Sequence, residues 1–502
     1  MTASSGLHKG PVEGTPADVL TSWAQAEFLP WMSAPPVQGD LAARIDDYAL
    51  ADPSVARYSI EDGRVFWRPK SEAVTQAQFL DPVVRATITA RGRDYERFFQ
   101  DVVDIFGIRG RAELAVNIGD MADHHSVFPI FSFQKRRGSA NLLIPDCDFL
   151  TWSYYLDARY NDPHAVDDKL DSAVFVGSTT GYLPIYREMV EKLDHQRLRS
   201  AVFFKGHPYV SYTLPIICQC DGTETEQLIA DLAIGGPHVN WHDQLAHKFI
   251  ISTDGNGATC SRVAIALKSN SVLIKYNSDN ILHYHRGLQP YGNYVAVRDD
   301  RDVDYVVRKL IQDRPAFQRI AEQSNTFYNE HLTRPALRFY TRHLLEQYIA
   351  HYGEPEAAAP LPNPASGLMI DAYAHVEGVG DVWADPQGVV GLTDEGRVIE
   401  GFELQPDPRI LGRDLSYRCV GMNGVVSADV GAWQYCGSRG QAKGLRGFYV
   451  TLAGASAEAY DLRYVATFSD GSASPVCASG QPCVSATGAP LSSFRIMIQS
   501  RT

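Results

Sequence analysis

The chain has 502 residues, too many for a single hydrophobic core, and about three domains is the expectation for that length. Its 45% hydrophobic and 21% charged residues are ordinary for a globular chain. A net charge of −13 excludes a general nucleic-acid binder, which needs a basic face to displace counterions, but leaves room for a local basic pocket. No run of about 18 apolar residues occurs and the first ten residues carry no signal-peptide core, so the expected location is the cytoplasm, with peripheral membrane contact left open.

Residues 16 to 110 read as mostly helical with a hairpin-like insert. Thr15-Pro16-Ala17-Asp18 offers a helix cap, followed by an apolar stripe of Val19, Leu20, Trp23 and Phe28. Tyr58-Ser59-Ile60 and Val65-Phe66-Trp67 flank Asp62-Gly63, the signature of a tight hairpin. A further helix runs through Tyr95, Phe98, Phe99, Val102 and Ile105.

From Glu113 the pattern changes to short apolar strands ended by polar turns. Leu114 to Ile118 leads into Gly119-Asp120, and Val127 to Phe133 into Lys135-Arg136-Arg137. Strands alternating with helices predict an open α/β sheet, which binds ligands beyond the carboxyl ends of its strands. Asp120 stands at such an end, as a site residue or as a turn former beside glycine.

A second α/β segment begins near Ala173. Val174-Phe175-Val176 is a strand, and Gly177-Ser178-Thr179-Thr180-Gly181 is a turn whose glycines and hydroxyls suit a phosphate. Pro184 to Leu193 is a helix. Ala201 to Phe204 reads as the next strand, ending in Lys205-Gly206-His207-Pro208, and Glu224 to Ile234 as another helix.

Lys248 to Leu267 is the stretch around which the rest is organised. Phe249-Ile250-Ile251 is a strand, Asp254-Gly255-Asn256-Gly257 a turn, and Ser261 to Leu267 a helix. Strand, glycine turn and helix N-terminus form an anion cradle, because unpaired N–H groups and the helix dipole face the turn. Arg262 falls in the first helical turn, where a guanidinium can clamp a diphosphate. The stretch is no calcium loop, since Ile265 replaces the closing glutamate, and no Walker loop, since no Gly-Lys-Ser/Thr follows. Ser271 to Lys275 is one more strand, Tyr284 to Tyr291 an aromatic and basic loop, and three helices follow to Tyr352.

Eight cysteines in a chain of this size are no disulfide framework, and Cys218-x-Cys220 has no second pair for zinc. Cys477 and Cys483 would pair only in an oxidising compartment. Gly353 to Gly367 is a Pro/Ala-rich linker. Beyond it residues 368–502 repeat: Tyr373, Tyr417 and Tyr464 are each followed seven residues later by glycine, and Phe402, Phe448 and Phe494 come about thirty residues after them. Three units predict an all-β module with pseudo-threefold symmetry, β-trefoil or β-prism like; two units and a closing hairpin is the other arrangement.

Over residues 110–345 these motifs, in this order, resemble glycosyltransferase family 90, which includes protein O-glucosyltransferases and fungal capsule xylosyltransferases. Val116 to Asp120 with Phe131-Ser132-Phe133 looks like the segment carrying the catalytic aspartate, and Phe175 to Thr180 is similar to the donor loop. Lys248 to Ile251, Asp254-Gly255, Ser261-Arg262 and Ser271-Val272-Leu273 match a further run, and Leu288 to Val295 the ending. Val176 and Thr179 replace arginines common in the family, which leaves Lys205 and Arg286 as the nearest basic substitutes.

The resemblance implies a GT-B fold and an inverting, metal-independent transfer from a UDP-sugar, xylose or glucose, to a hydroxyl of a polysaccharide, capsule or lipopolysaccharide glycan. No cofactor is expected. Asp120 would be the general base; Gly177, Ser178, Thr179, Lys205, Asp254, Gly255, Ser261 and Arg262 would hold the donor. For Asp254 a helix-capping role stays equally open. The expected divisions are residues 1–165 (acceptor unit), 166–352 (donor unit), 353–367 (linker) and 368–502 (repeat module). The module is loosely similar to the clostridial hydrophobic domain with a conserved tryptophan, and Trp383, Trp433 and Tyr435 are candidate glycan platforms or core residues. On a flexible linker it would target acceptor glycan. The alternative function is a catalytically silent glycan-binding protein; a glycoside hydrolase would need a second matched carboxylate.

Overall fold

The structure, a computed structural model, describes residues 14–34, 39–120, 124, 126–151, 153–155, 158–181, 184–258, 260–355, 368–392 and 396–501. Helix α1 (Pro16–Met32) starts at Thr15, whose side chain and that of Asp18 cap each other's backbone. It buries Leu20, Trp23 and Phe28. After α2 (Leu41–Ala51), β1 (Val55–Glu61) and β2 (Arg64–Arg68) form the hairpin, with Asp62 and Gly63 at φ 52° and 81° as a tight turn requires. Helices α3 (Glu72–Gln78) and α4 (Pro82–Phe106) follow, then β3 (Ala112–Asn117), β4 (Ile130–Ser132), β5 (Lys135–Arg136), β6 (Leu142–Leu143) and α5 (Cys147–Thr151).

The first sheet has the order β2-β1-β3-β4-β6. β3, β4 and β6 are parallel, and the hairpin adds to β3 antiparallel. The hairpin is therefore the edge of the first sheet rather than an insert among helices.

The second unit runs β7 (Leu170–Ser178), α6 (Arg187–Lys192), α7 (Gln196–Phe203), β8 (Val210–Ile216), α8 (Thr223–Asp231), α9 (Trp241–Gln244), β9 (His247–Ser252), α10 (Cys260–Lys268), β10 (Val272–Tyr276), β11 (Asn280–Ile281), β12 (Val295–Val297), α11 (Asp300–Gln312), α12 (Arg314–His331) and α13 (Arg334–Tyr352). Five of these strands make a parallel sheet of order β8-β7-β9-β10-β12, the doubly wound arrangement. The segment expected as a strand at Ala201 to Phe204 is instead the end of α7. Its apolar residues Leu198, Ala201 and Phe204 recur at helical spacing and are buried.

Helix α13, expected to close the second unit, packs on the first. Its Tyr340 hydroxyl donates to the Leu143 carbonyl at 2.8 Å and its Tyr348 hydroxyl to that of Glu113 at 2.7 Å. The short β5–β11 ladder also joins the two units.

Most of the linker, residues 356–367, lies outside the described residues. The module has three four-stranded sheets built from β13 (Ile370–Val376), β14 (Gly380–Trp383), β15 (Val389–Gly391), β16 (Ile399–Pro406), β17 (Leu415–Gly421), β18 (Val430–Gly431), β19 (Cys436–Gly437), β20 (Leu445–Leu452), β21 (Tyr460–Phe468), β22 (Cys477–Ala478), β23 (Cys483–Val484) and β24 (Leu491–Ser500). Each sheet borrows its last strand from another unit: β19 pairs with β16, β23 with β20, and β15 from the first unit closes the ring on β24. Phe402, Phe448 and Phe494 meet at the centre with ring separations of 5.0–5.5 Å. Three units are present, not two and a hairpin.

Tyr417 and Tyr464 play equivalent parts, each hydroxyl accepting from the backbone of the preceding unit (Leu404, Val450) and donating to the carbonyl of Gln434 or Gln481. Tyr373 does not match them. The strand register makes Ala372 their counterpart, and one residue of offset turns Tyr373 to the opposite face.

The module is not a tethered satellite. Arg338 of α13, 2% exposed, donates to Asp371 of β13 at 3.2 Å and to Asp101 of α4 at 2.6 Å, and Arg334 pairs with Asp371 at 3.2 Å. The Ala17 amide donates to the Pro408 carbonyl at 3.1 Å. Among the described residues no helix is long and apolar enough to cross a membrane.

Candidate functional site

In the second sheet the winding reverses between β7 and β9, so a crevice opens where their carboxyl ends diverge. The Gly177–Gly181 loop leaves β7 on one side of it and the Thr253–Gly257 turn leaves β9 on the other. Their contact is direct: the Gly181 amide donates to Asn256 Oδ1 at 3.2 Å.

Arg197 of α7 staples the two. Its Nε donates to the Asp254 carbonyl (2.9 Å), one terminal nitrogen to the Ser178 carbonyl (2.9 Å) and Thr180 Oγ1 (2.8 Å), and the other to the Thr253 carbonyl (3.1 Å). Gly255 lies against this guanidinium, where a Cβ would come within 2.9 Å of it. Arg262, in the first turn of α10 as expected, lies beneath the loop. It donates to Gln244 Oε1 at 3.1 Å and the Val176 carbonyl at 2.6 Å, while its Nε is buried without a partner among the described residues.

The two guanidiniums flank the Phe175 ring at 5.3 and 4.5 Å, and neither has a carboxylate ion pair among the described residues. Burial, and then the like charge of Arg197, lowers Arg262 to about 10. Two buried cations with no ion-paired carboxylate among the described residues, and only the Asp254 carboxylate acting on Arg197 from beyond ion-pair distance, make this glycine-bearing strand end favourable to an anion.

The N-terminus of α10, read as part of the cradle, is already occupied. Asp148 of the first unit accepts from both the backbone and the hydroxyl of Ser261. Burial pushes Asp148 above the usual carboxylate value, and the fully buried Asp146 well above it. Asp148, not Asp254, caps this helix. The Asp254 carboxylate instead accepts from Ser278 Oγ and from Asn280 Nδ2 (2.9 Å), with Lys275 Nζ at 3.7 Å. A pocket of about 390 Å³ opens alongside, lined by Arg137, Lys275, Ser278, His285 and Tyr294.

Asp120 stands at the carboxyl end of β3, half-exposed, with Oδ1 accepting from Arg91 at 2.8 Å. Its main-chain oxygen accepts from the side-chain amide of Gln134, which in turn packs on Gly257. The candidate base and the candidate donor turn are thus one side chain apart.

Other expected residues lie elsewhere. Lys205 follows α7 at the amino end of β8, away from the crevice, and donates to the Leu232 carbonyl; only a strand at Ala201 to Phe204 would put it at a carboxyl end. Arg286 is paired with Glu27 of α1 at 2.5 Å. Thr179 is fully buried and exchanges hydrogen bonds with the Cys218 backbone. Gly177 and Ser178 are in the loop itself.

Trp383 packs under Arg334 (4.6 Å) and against Tyr154, and Trp433 lines a 120 Å³ cavity with Lys268 and Tyr328, so both tryptophans face the α/β units rather than open solvent. Tyr435 stacks on Arg439 at 4.2 Å. The sequence reading missed Arg197, Gln134, Arg91 and Asp148. Only Arg197 left a signal, a charged residue on the apolar face of a helical pattern.

These features define two α/β units, the second with a pair of buried guanidiniums at its strand ends. The chain belongs to glycosyl transferase family 90, whose model matches residues 21–352, and its class of reaction is glycosyl transfer. It is similar to the C-terminal domain of a glycosyl transferase group 1 family protein from Francisella tularensis (14% identity, 31% of this chain and 82% of that one, TM-score 0.20). A sucrose-phosphate synthase from Thermosynechococcus elongatus is also similar (11% identity, 56% of this chain and 66% of that one, TM-score 0.27). No curated protein matches.

Proposed function

We propose that the chain is an inverting GT-B glycosyltransferase that moves xylose or glucose from a UDP-sugar to a hydroxyl of a polysaccharide, capsule or lipopolysaccharide glycan. The observation that carries this is the pair Arg197 and Arg262 at the β7–β9 crevice, neither in an ion pair with a carboxylate among the described residues, with Asp120 one side chain away. The donor diphosphate lies over the Gly177–Gly181 loop, where the two guanidiniums supply positive charge through a low-dielectric interior. The rest of the donor extends toward Asp254 and the pocket beside Lys275.

Asp120 takes the proton of the acceptor hydroxyl as its oxygen attacks the anomeric carbon, opposite the diphosphate. The new C–O bond forms as the bond to the diphosphate breaks, and the electron pair leaves on UDP. The protein cations stabilise that charge, which is the basis for proposing a metal-independent transfer. Arg91 orients Asp120.

One feature favours the second reading, a silent glycan binder: Asp148 already fills the α10 N-terminus that would otherwise receive a phosphate. UDP release from purified protein separates the two, with UDP-xylose, UDP-glucose and related donors compared with and without EDTA. Release that survives EDTA and is lost in Asp120→Asn and Arg197→Ala supports the transferase. No turnover and no UDP-sugar binding supports the silent binder.

A further inference from the structure

A second cavity reaches the carboxyl end of β3 at Ile118. It measures about 690 Å³ and lies between the β1–β2 hairpin, α3 and α4. Its walls are apolar, formed chiefly by Val55, Trp67, Pro69, Ile88 and Ile118. The Trp67 ring lies flush on Gly92 of α4, where a Cβ would come within 2.6 Å of it. Ile118 is two residues before Asp120, so cavity wall and base are separated by at most about 7 Å of chain.

The rim is basic. Arg68, Lys70, Arg85 and Arg93 border the cavity against a single acid, Glu72. Arg68 is neutralised by Glu61. Among the described residues no carboxylate lies within ion-pair distance of the other three. Arg85 donates to the carbonyls of Phe79 (2.5 Å) and Leu80 (2.9 Å), which fixes it at the α3–α4 turn. On that turn Leu80 and Val83 are 84% and 71% exposed, an apolar tip beside the entrance.

A sugar ring brings hydroxyls that need carboxylates and amides, and these walls offer few. Hydrocarbon needs none, and the unpaired cations at the rim match an anion attached to it. We propose that this cavity is the acceptor subsite and takes a lipid-borne phosphate, its chain against Trp67 and Ile88 and its phosphate at Arg85 and Arg93. The acceptor sugar then projects toward Asp120. The placement rests on Asp120 being the base. The exposed tip lets the chain enter from a lipid surface, so the acceptor is presented while still anchored.

Decyl phosphate, kept below its aggregation threshold, is the probe. It is titrated calorimetrically into the full chain beside decyl glucoside, inorganic phosphate and glucuronic acid. The expected result is saturable decyl phosphate binding, roughly tenfold tighter than decyl glucoside, with none for inorganic phosphate. An Arg85→Gln/Arg93→Gln double variant weakens it by roughly tenfold or more. Equal affinity for decyl glucoside, indifference to the double variant, or no decyl phosphate binding overturns the proposal. Tighter binding of glucuronic acid also overturns it, in favour of an acidic glycan. No donor is present, so a negative result leaves UDP release untouched; lipid binding without UDP release overturns the acceptor role together with the transferase reading and leaves only a lipid-phosphate site.

Discussion

The side-chain amide of Gln134 occupies the space that a Cβ on Gly257 would need, while donating to the main-chain oxygen of Asp120. Gly257→Ala therefore displaces Gln134 and releases the segment that positions Asp120. A shift of about 1 Å at a reacting group can cost roughly 100-fold in rate. We expect transfer to fall by roughly 10- to 100-fold with little change in thermal midpoint, and Gln134→Ala to have the same effect without crowding. Full transfer rates in both variants would show that the contact positions nothing.

Arg197 makes four hydrogen bonds that reach both the Gly177–Gly181 loop and the Thr253–Gly257 turn. Arg197→Lys keeps the charge but not the planar fork, so at least two of the three bonded carbonyls lose their donor. The expected cost is about 3 kcal/mol or more of unfolding free energy, read from the urea midpoint, together with loss of UDP binding. A lysine variant of unchanged stability would mean that the loops hold themselves.

The legible parts of this chain were those set by local chemistry. The Asp62-Gly63 hairpin, the Thr15 cap and the β9–turn–α10 run each depend on residues within a few positions of one another, so spacing alone exposes them. Ala201 to Phe204 is short enough to fit either period, and a strand there puts Lys205 at the wrong end of the sheet. Arg197, Asp148 and Gln134 reach partners far away in sequence, and nothing near them marks the partner. The Tyr373 offset has the same origin: its face is set by pairing with β16, about thirty residues away, and a displacement of one residue reverses that face without altering composition.

Arg338 is buried between Asp371 of the module and Asp101 of α4. Arg338→Met leaves both carboxylates without that guanidinium, and breaking a buried pair typically costs about 3–5 kcal/mol. The module should then unfold separately from the α/β units, giving two calorimetric transitions in place of one. A single transition at the wild-type temperature would show that the apolar contacts alone hold the module. Because Trp383 and Trp433 face the same junction, the variant also tests whether exposing them creates glycan binding.

Three buried histidines make stability fall on the acid side. Burial lowers His283 to about 3, and burial is also the leading cause that lowers His195 and His331 to about 4. The unfolded chain takes up these protons near the ordinary value of about 6.5, whereas the folded chain resists them. Below about pH 6.5 the unfolded state therefore binds more protons, so stability is highest above that value and declines until each folded value is reached. Buried Asp146 and Asp148 are shifted upward and oppose the trend, so the test must be a difference between variants. Neither ring nitrogen of His283 has a partner among the described residues, and the ring packs on Tyr284 and Tyr340 at 5.1 Å. His283→Phe keeps that packing and removes the titration. Relative to wild type it should gain roughly 2–3 kcal/mol between about pH 7 and about pH 4.5, measured by urea unfolding at each pH. Parallel curves across that range would mean that His283 is already protonated in the folded chain or reached by water.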